Sequence, residues 1–393
     1  MNEFSGSLGF QFAAHINLRF GAGAVNALPT EILAMGARKV MIVTDPGVQR
    51  AGLANGLIEG LKKVGIAVEV FSEVESNPRD TTIHLGAERA TAFGPELFIG
   101  FGGGSAMDAA KGIALLMTNG GAIGDYDGTD KVKKDLPYLI AIPTTAGTGS
   151  EVTANAALTN SVTHSKMSVR SPRLMPKMAV VDPLLLASLP KTMASTAGLD
   201  ALSHAIEGFL SLRASVLSDV FALESIRLIG RHLRPFVANP ANVEAASGMA
   251  LGSTLAGFVI SNTGTGNDHA IARALGGLFD TPHGLATGVL LAHVMRFNAP
   301  ARPERFVRIA EALALSTEGG EVIVAERVCA AIERLVSDVG VPTHLGQIDV
   351  DRARIPELVA IALKNVGPNP RRTSEADMKA LIETAFGSET AVR

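Results

Sequence analysis

Between residues 39 and 183, short apolar, β-branched runs alternate with stretches of helical periodicity. This alternation constrains the fold more than any other feature of the chain. "KVMIVTD" (39–45), "IAVEVFSEV" (66–74), "ELFIGFGGGS" (96–105), "PYLIAIPTTAGTGSE" (137–151) and "KMAVVDP" (177–183) read as strands. Helical segments such as "DTTIHLGAERATAFG" (80–94) and "AMDAAKGIALLMTNG" (106–120) separate them. Strands spaced by helices imply βαβ units and a parallel sheet covered on both faces. From about residue 191 the strand signals stop, and 3.6-residue apolar spacing continues to the C-terminus. Two domains are therefore expected, an α/β domain over 1–187 and an all-helical domain over 188–393. A chain of 393 residues is long enough for two cores.

Composition excludes several classes of function. The net charge of −3, without a Lys/Arg run, gives no footing for nucleic acid. The single cysteine, Cys329, rules out an internal disulfide and a thiolate-rich zinc site, so any metal must be held by His and carboxylates. The N-terminal "MNEFSGSLGFQF" has no basic segment leading into an apolar core, and no uncharged apolar run of about 18 residues is read. The expectation is a cytoplasmic protein with no membrane partner.

Three loops follow strand ends, where doubly wound sheets bind ligands. In "GFGGGSAMDAAKG" (100–112) three glycines allow close approach to a phosphate, and Ser105 is expected to cap the following helix. A tight turn without a ligand would look the same. Asp45, at the end of "VMIVT", could accept hydrogen bonds from an adenosine ribose and would disfavour NADP; an ordinary Asp-Pro-Gly turn is the alternative. "PTTAGTGSEVT" (143–153) offers five hydroxyls and two glycines directly after a buried strand.

In "GLDALSHAIEG" (198–208), Asp200 and His204 stand one helical turn apart on one face. A surface ion pair would give the same spacing, but the neighbours Ala201, Leu202, Ala205 and Ile206 argue against exposure. "NDHAIARALGGLFDTPHG" (267–284) adds His269 and His283, giving one carboxylate and three imidazoles, a set suited to Fe²⁺ or Zn²⁺. Glu207, three residues after His204, either orients a ligand or faces solvent. His84, His164, His232 and His344 lack partners at ligand spacing, and His293 reads as packing or support.

The stretches "FGGGSAMDAAKG", "IPTTAGTGSEVT", "AGLDALSHAIEG" and "TPHGLATGVLLAHVMRFN" resemble the iron-containing (group III) alcohol dehydrogenase family, in matching order from "RFGAG" (19–23) to "PNPRRTSEADM" (368–378). The resemblance implies a Rossmann-like N-terminal nucleotide-binding domain plus an all-α C-terminal domain, the dehydroquinate synthase-like/iron-containing alcohol dehydrogenase fold. It implies NAD and a divalent metal, a small alcohol or carbonyl substrate, hydride transfer between them, and a homodimer. Asp200, His204, His269 and His283 match the metal ligands. Asp45 matches the ribose acid, and Gly103, Gly104 and Ser105 match the pyrophosphate loop. Thr144, Thr145 and Thr148 match the loop near phosphate and nicotinamide, and Asn77, Asn155 and Lys166 match further cofactor contacts. Alcohol-oxidising members carry another His four residues after the third ligand; here that residue is Arg273. A guanidinium is a poor proton shuttle, which leaves Thr148, a ribose hydroxyl or a bound water for that role. It is a good fork for an anion, so Arg273 points to a hydroxy-acid or oxoacid substrate, unless it pairs with Asp268 or Asp280. Alternatives within the architecture are a maleylacetate-reductase-like enzyme and a dehydroquinate-synthase-like lyase.

Overall fold

The computed structural model describes residues 9–163 and 165–387. His164 and residues 1–8 of the N-terminal segment thus lie outside the described residues. The described residues form nine strands: β1 (Asn17–Phe20), β2 (Lys39–Val43), β3 (Ala67–Phe71), β4 (Leu97–Gly102), β5 (Gly128–Thr129), β6 (Tyr138–Pro143), β7 (Asn155–Thr159), β8 (Lys166–Arg170) and β9 (Met178–Val181). Among them run α1 (Leu28–Ala34), α2 (Pro46–Arg50), α3 (Asn55–Lys63), α4 (Asp80–Phe93) and α5 (Gly104–Asn119).

Six strands form a wholly parallel sheet in the order β1-β9-β6-β4-β2-β3. The chain passes outward from β2 to β3, then returns to place β4 on the other side of β2. That reversal is a topological switch point, and it opens a crevice at the carboxyl ends of β2 and β4. Alternate side chains enter two separate cores, as the two-residue period of a strand requires. Met41, Phe98 and Leu139 pack on one face; Ile42, Ile99 and Ile140 pack on the other. Burial on both faces explains why these strands read as continuous apolar runs.

Four strands have no counterpart in the sequence reading. β1 forms the edge beside β9. β5, β8 and β7 form a separate three-stranded sheet, with β7 and β8 antiparallel. These strands are short and partly exposed, so no long apolar run marks them.

The second half is helical: α6 (Lys191–Leu210), α7 (Val216–Ala238), α8 (Val243–Thr263), α9 (Asn267–Phe279), α10 (His283–Asn298), α11 (Pro303–Ala312), α12 (Glu321–Asp338), α13 (Ile355–Leu363) and α14 (Glu375–Phe386). No strand lies beyond Val181 among the described residues. The chain divides after Leu189, two residues past the expected boundary. Residues 9–13 group with the helical unit, and Pro240–Ala250 with the α/β unit, so neither unit is one continuous segment. Hydrophobic pattern reports local periodicity and says nothing of which core a terminal strap joins. The reading of no membrane-length apolar run also needs correction. α8 is long and apolar enough to cross a membrane by length and composition, with a mean hydropathy of 1.4, and 67% of that window is buried in the fold.

Phe98, fully buried, sits in register between Met41 and Leu139. Phe98→Ala is expected to destabilise the α/β unit by about 3–5 kcal/mol, read as a lower denaturant midpoint for that unit's transition.

Candidate active site

In the α/β unit, Asp45, Gly103, Gly104, Ser105, Thr144, Thr145 and Thr148 follow the carboxyl ends of β2, β4 and β6. Asp45 is the N-cap of α2, its Oδ1 accepting from the backbone N–H groups of Gly47 and Val48 at 2.8 and 3.0 Å. Its Oδ2 faces the glycine turn, 3.1 Å from where a Cβ on Gly102 would stand. The turn reading and the ribose reading of Asp45 are thus compatible, each using one oxygen. Ser105 does not cap α5. The helix begins at Gly104, Gly103 is the N-cap, and no side chain accepts from the first turn. The consecutive glycines let the backbone enter the helix two residues earlier than expected, which leaves the free N–H groups open to an anion.

The 144–148 loop lies against this turn. The Thr144 N–H donates to the Gly102 carbonyl at 2.9 Å. A Cβ on Gly104 would stand 2.8 Å from Thr148 Cγ2 and 2.9 Å from its Oγ1, so only glycine allows Thr148 to pack there. Asn77 is exposed with a left-handed φ of 59°, a conformation asparagine tolerates. Lys166 is exposed at the start of β8 and donates to Thr159 Oγ1 at 3.1 Å. Asn155 begins β7, and its Oδ1 accepts from Ser168 Oγ at 2.8 Å.

In the helical unit, α6 is buried without interruption from Gly198 to Leu210. Asp200, His204 and Glu207 recur along one stripe of it, at intervals of four and three residues. α9 supplies Asp268 and His269, and α10 opens with His283 directly after its N-cap Pro282. The donor atoms of Asp200, His269 and His283 lie within 4.8 Å of one another. Asp200 Oδ1 is 3.6 Å from Nε2 of each histidine. That is close to the edge of about 3.4 Å expected between donors of a tetrahedral cation with bonds near 2.1 Å. His204 is buried beside this group, its ring stacked on His269 with centroids 4.4 Å apart.

Glu207, left open by the sequence, does not face solvent. It is buried, and its Oε2 accepts from His269 Nδ1 at 2.7 Å. Its Oε1 accepts from the Asp268 N–H at 2.7 Å. A Cβ on Gly266 would stand 2.9 Å from that Oε1, so the carboxylate reaches the α9 backbone only because residue 266 is glycine. A carboxylate can only accept, so Nδ1 carries the proton. Nε2 is buried without a hydrogen-bond partner. An orphaned imidazole nitrogen aimed at a carboxylate and a second imidazole is what a metal ligand requires, and the residues fit the group. Thr287, one turn after His283, was missed in the sequence; its hydroxyl donates to Asp200 Oδ1 at 3.2 Å. Spacing of four from a candidate ligand was the available signal.

Charge follows the geometry. Burial opposes ionisation of Asp200, but the imidazoles of His204, His283 and His269 hold its carboxyl well below the usual range. Desolvation pulls His269 down, yet Asp200 and Glu207 outweigh it and raise the ring to about 9. Desolvation, reinforced by the neighbouring imidazoles and Arg273, pushes His283 down to about 4, although 42% of its side chain is accessible. Burial and the adjacent Glu207 carboxylate raise Asp268, whose Oδ2 accepts from Ser203 Oγ at 2.5 Å. Arg273 stands one turn after His269, half-buried, and donates to Thr265 Oγ1 at 3.2 Å.

His293 donates from Nε2 to the Thr343 carbonyl at 2.8 Å and packs edge-on against His344. Cys329 is buried, its thiol pushed up to about 12 by desolvation.

Strand ends at the switch point of a parallel sheet, and in the other unit a buried His/carboxylate cluster on helices, are features that a metal-assisted dinucleotide oxidoreductase uses. Residues 16–183 match the family described as iron-containing alcohol dehydrogenase, and residues 194–386 match its C-terminal part. The chain belongs to the iron-containing alcohol dehydrogenase family and is an alcohol–aldehyde oxidoreductase. It is 38% identical to the 1,3-propanediol dehydrogenase of Klebsiella pneumoniae over 93% of this chain and 96% of that one. A crystal structure of 1,3-propanediol oxidoreductase superposes with a TM-score of 0.94 at 37% identity, covering 96% of this chain and all of that one. Sulfoacetaldehyde reductase from Bifidobacterium kashiwanohense, solved in complex with NAD⁺, superposes with a TM-score of 0.87 at 30% identity, covering 97% and 100%.

Glu207→Gln keeps the side chain's shape but weakens its hold on the His269 N–H. Metal affinity measured by chelator competition is expected to fall about 10–100-fold. Metal-stripped protein is expected to lose stability with rising pH. His269 is raised from 6.5 to about 9, so its protonated form stabilises the fold fully below 6.5, and that contribution is lost as pH climbs through about 9. Thermal unfolding of chelator-treated protein across this window should show the decline. Metal-loaded protein should not, because Nε2 is then occupied.

Proposed function

We propose that this chain is an NAD(H)-linked, iron-dependent alcohol dehydrogenase whose substrate carries an anionic group recognised by Arg273. The observation that carries the substrate reading is the position of Arg273 one turn from His269, with its charge felt at His283. A guanidinium there supplies a planar fork for a carboxylate or sulfonate. The sulfoacetaldehyde reductase supports this reading, because its named substrate is an aldehyde with a sulfonate. The cofactor assignment rests on Asp45, whose Oδ2 stands beside the glycine turn and would repel the additional phosphate of NADP.

In this reading Asp200, His204, His269 and His283 hold the metal, and Glu207 and Thr287 orient His269 and Asp200. Iron supplies a Lewis acid for the substrate oxygen, and NAD supplies the hydride acceptor. Zinc suits the same donors, because no thiolate is present to discriminate. Gly103, Gly104 and Ser105 receive the pyrophosphate at the open end of α5, while Thr144, Thr145 and Thr148 border phosphate and nicotinamide. Asn77, Asn155 and Lys166 are assigned as outer cofactor contacts on the resemblance alone. Thr148 carries the hydroxyl nearest the glycine turn and is the side chain assigned to pass the proton, a role Arg273 cannot fill. His283 is the accessible edge of the metal group, which supports substrate approach from that side. The proposal extends to a cytoplasmic homodimer.

The test compares kcat/KM for neutral diols, monoanionic hydroxy acids and dianionic oxoacids in iron-loaded wild type and Arg273→Ala. Loss of preference for the anions by about 10-fold or more in Arg273→Ala is expected, with neutral alcohols little changed. An unchanged ratio would reject the anionic substrate, and a preference confined to dianionic oxoacids would move the assignment to a maleylacetate-reductase type.

A further inference from the structure

α5 carries a buried charge that the reaction does not use. Lys111 is completely buried on a helix whose neighbours Ala109, Ala110, Ile113 and Ala114 are also buried. Its ammonium donates at 2.8 Å to three oxygens, the Ser150 carbonyl, Ser150 Oγ and the Asn155 carbonyl. Asp108, one turn earlier, lies at 3.3 Å. Asp108 Oδ1 accepts from Ser150 Oγ at 2.5 Å, and its Oδ2 accepts from the Ala157 N–H at 2.9 Å. Apart from the Lys111–Asp108 pair, which is internal to α5, each contact ties α5 to the segment from the 3₁₀ turn Ser150–Val152 to Ala157 in β7.

An apolar pair would join a helix to a loop with no desolvation cost. An ammonium with three donors does something different: it holds several oxygens in fixed directions. The consequence runs to Thr148. The Ser150 N–H donates to Thr148 Oγ1 at 3.3 Å, and Thr148 packs on Gly104, the first residue of the same helix. Lys111, Ser150, Thr148 and Gly104 thus close a ring that begins and ends on α5.

We propose that Lys111 and Asp108 are positioning residues that set the 144–150 loop against the glycine turn, and so order the side of the crevice that receives the nicotinamide half of the cofactor. The inference rests on the reading of that turn and loop as the dinucleotide site. The Asp45 side, where adenosine is assigned, receives no bond from this network among those described.

The test measures dissociation constants of NAD⁺ and of 5′-AMP for full-length wild type, Lys111→Met and Ser150→Ala. Lys111→Met is expected to weaken NAD⁺ binding about 10-fold or more and to change 5′-AMP binding less than about 2-fold; Ser150→Ala should show the same selectivity at about 3-fold. Equal losses for both ligands, or no loss for either, would overturn the positioning role. If Lys111→Met does not fold, Ser150→Ala decides by the same outcomes. Wild type that binds neither ligand would overturn the cofactor reading itself, whereas wild type that binds both, with unselective variants, overturns only the role of Lys111 and Asp108.

Discussion

The hydrogen bond from His269 Nδ1 to Glu207 Oε2, 2.7 Å long and fully enclosed, is the interaction on which the helical unit's chemistry depends. It fixes the imidazole so that Nε2 faces Asp200 and His283. A buried carboxylate is costly unless its lone pairs are used, and Glu207 uses both oxygens. Oε1 takes the Asp268 N–H, which anchors α6 to the first turn of α9. Close approach at Gly266 and a site buried along α6 follow from that requirement. Asp200 is satisfied in the same way, by Thr287 and by the imidazoles around it.

The α/β unit solves a similar problem with the opposite sign. Lys111 is a buried cation whose three short bonds all end on one polar segment. In both units a charged group withdrawn from water holds a neighbouring functional element in place: His269 in one, the 144–150 loop in the other. Removal of one partner from such a pair strands the other charge, so these positions tolerate little variation.

Much of this architecture is legible residue by residue. β2, β4 and β6 stand out because burial on both faces demands unbroken apolar runs. β7 and β8 do not, because buried residues alternate with less buried ones over only five positions, and β1 does not, because none of its four residues is buried. Asp200 and His204 are readable because helical spacing places them together. Glu207 has the same spacing, yet whether it faced water or α9 depended on a helix 60 residues away in the chain. Lys111 and Asp108 sit inside the glycine-turn motif, whose resemblance to a cofactor loop draws attention to the glycines instead. An Asp and a Lys three apart inside "AMDAAKGIALL" are a usable signal, since an apolar helix face rarely carries charge without a buried partner. Ser105 was misread as a cap because flexible glycines permit more than one helix start.

By itself the sequence determined the alternation that requires a parallel sheet, the turn to all-helical structure after residue 190, and a candidate set of metal donors made of histidines and carboxylates without thiolates. Those are properties of local period and side-chain chemistry. Tertiary structure alone decided that Glu207 holds His269, that Thr287 holds Asp200, and that Lys111 ties α5 to the loop carrying Thr148. These pairings join residues 39 to 87 positions apart, and only packing brings them within hydrogen-bonding distance.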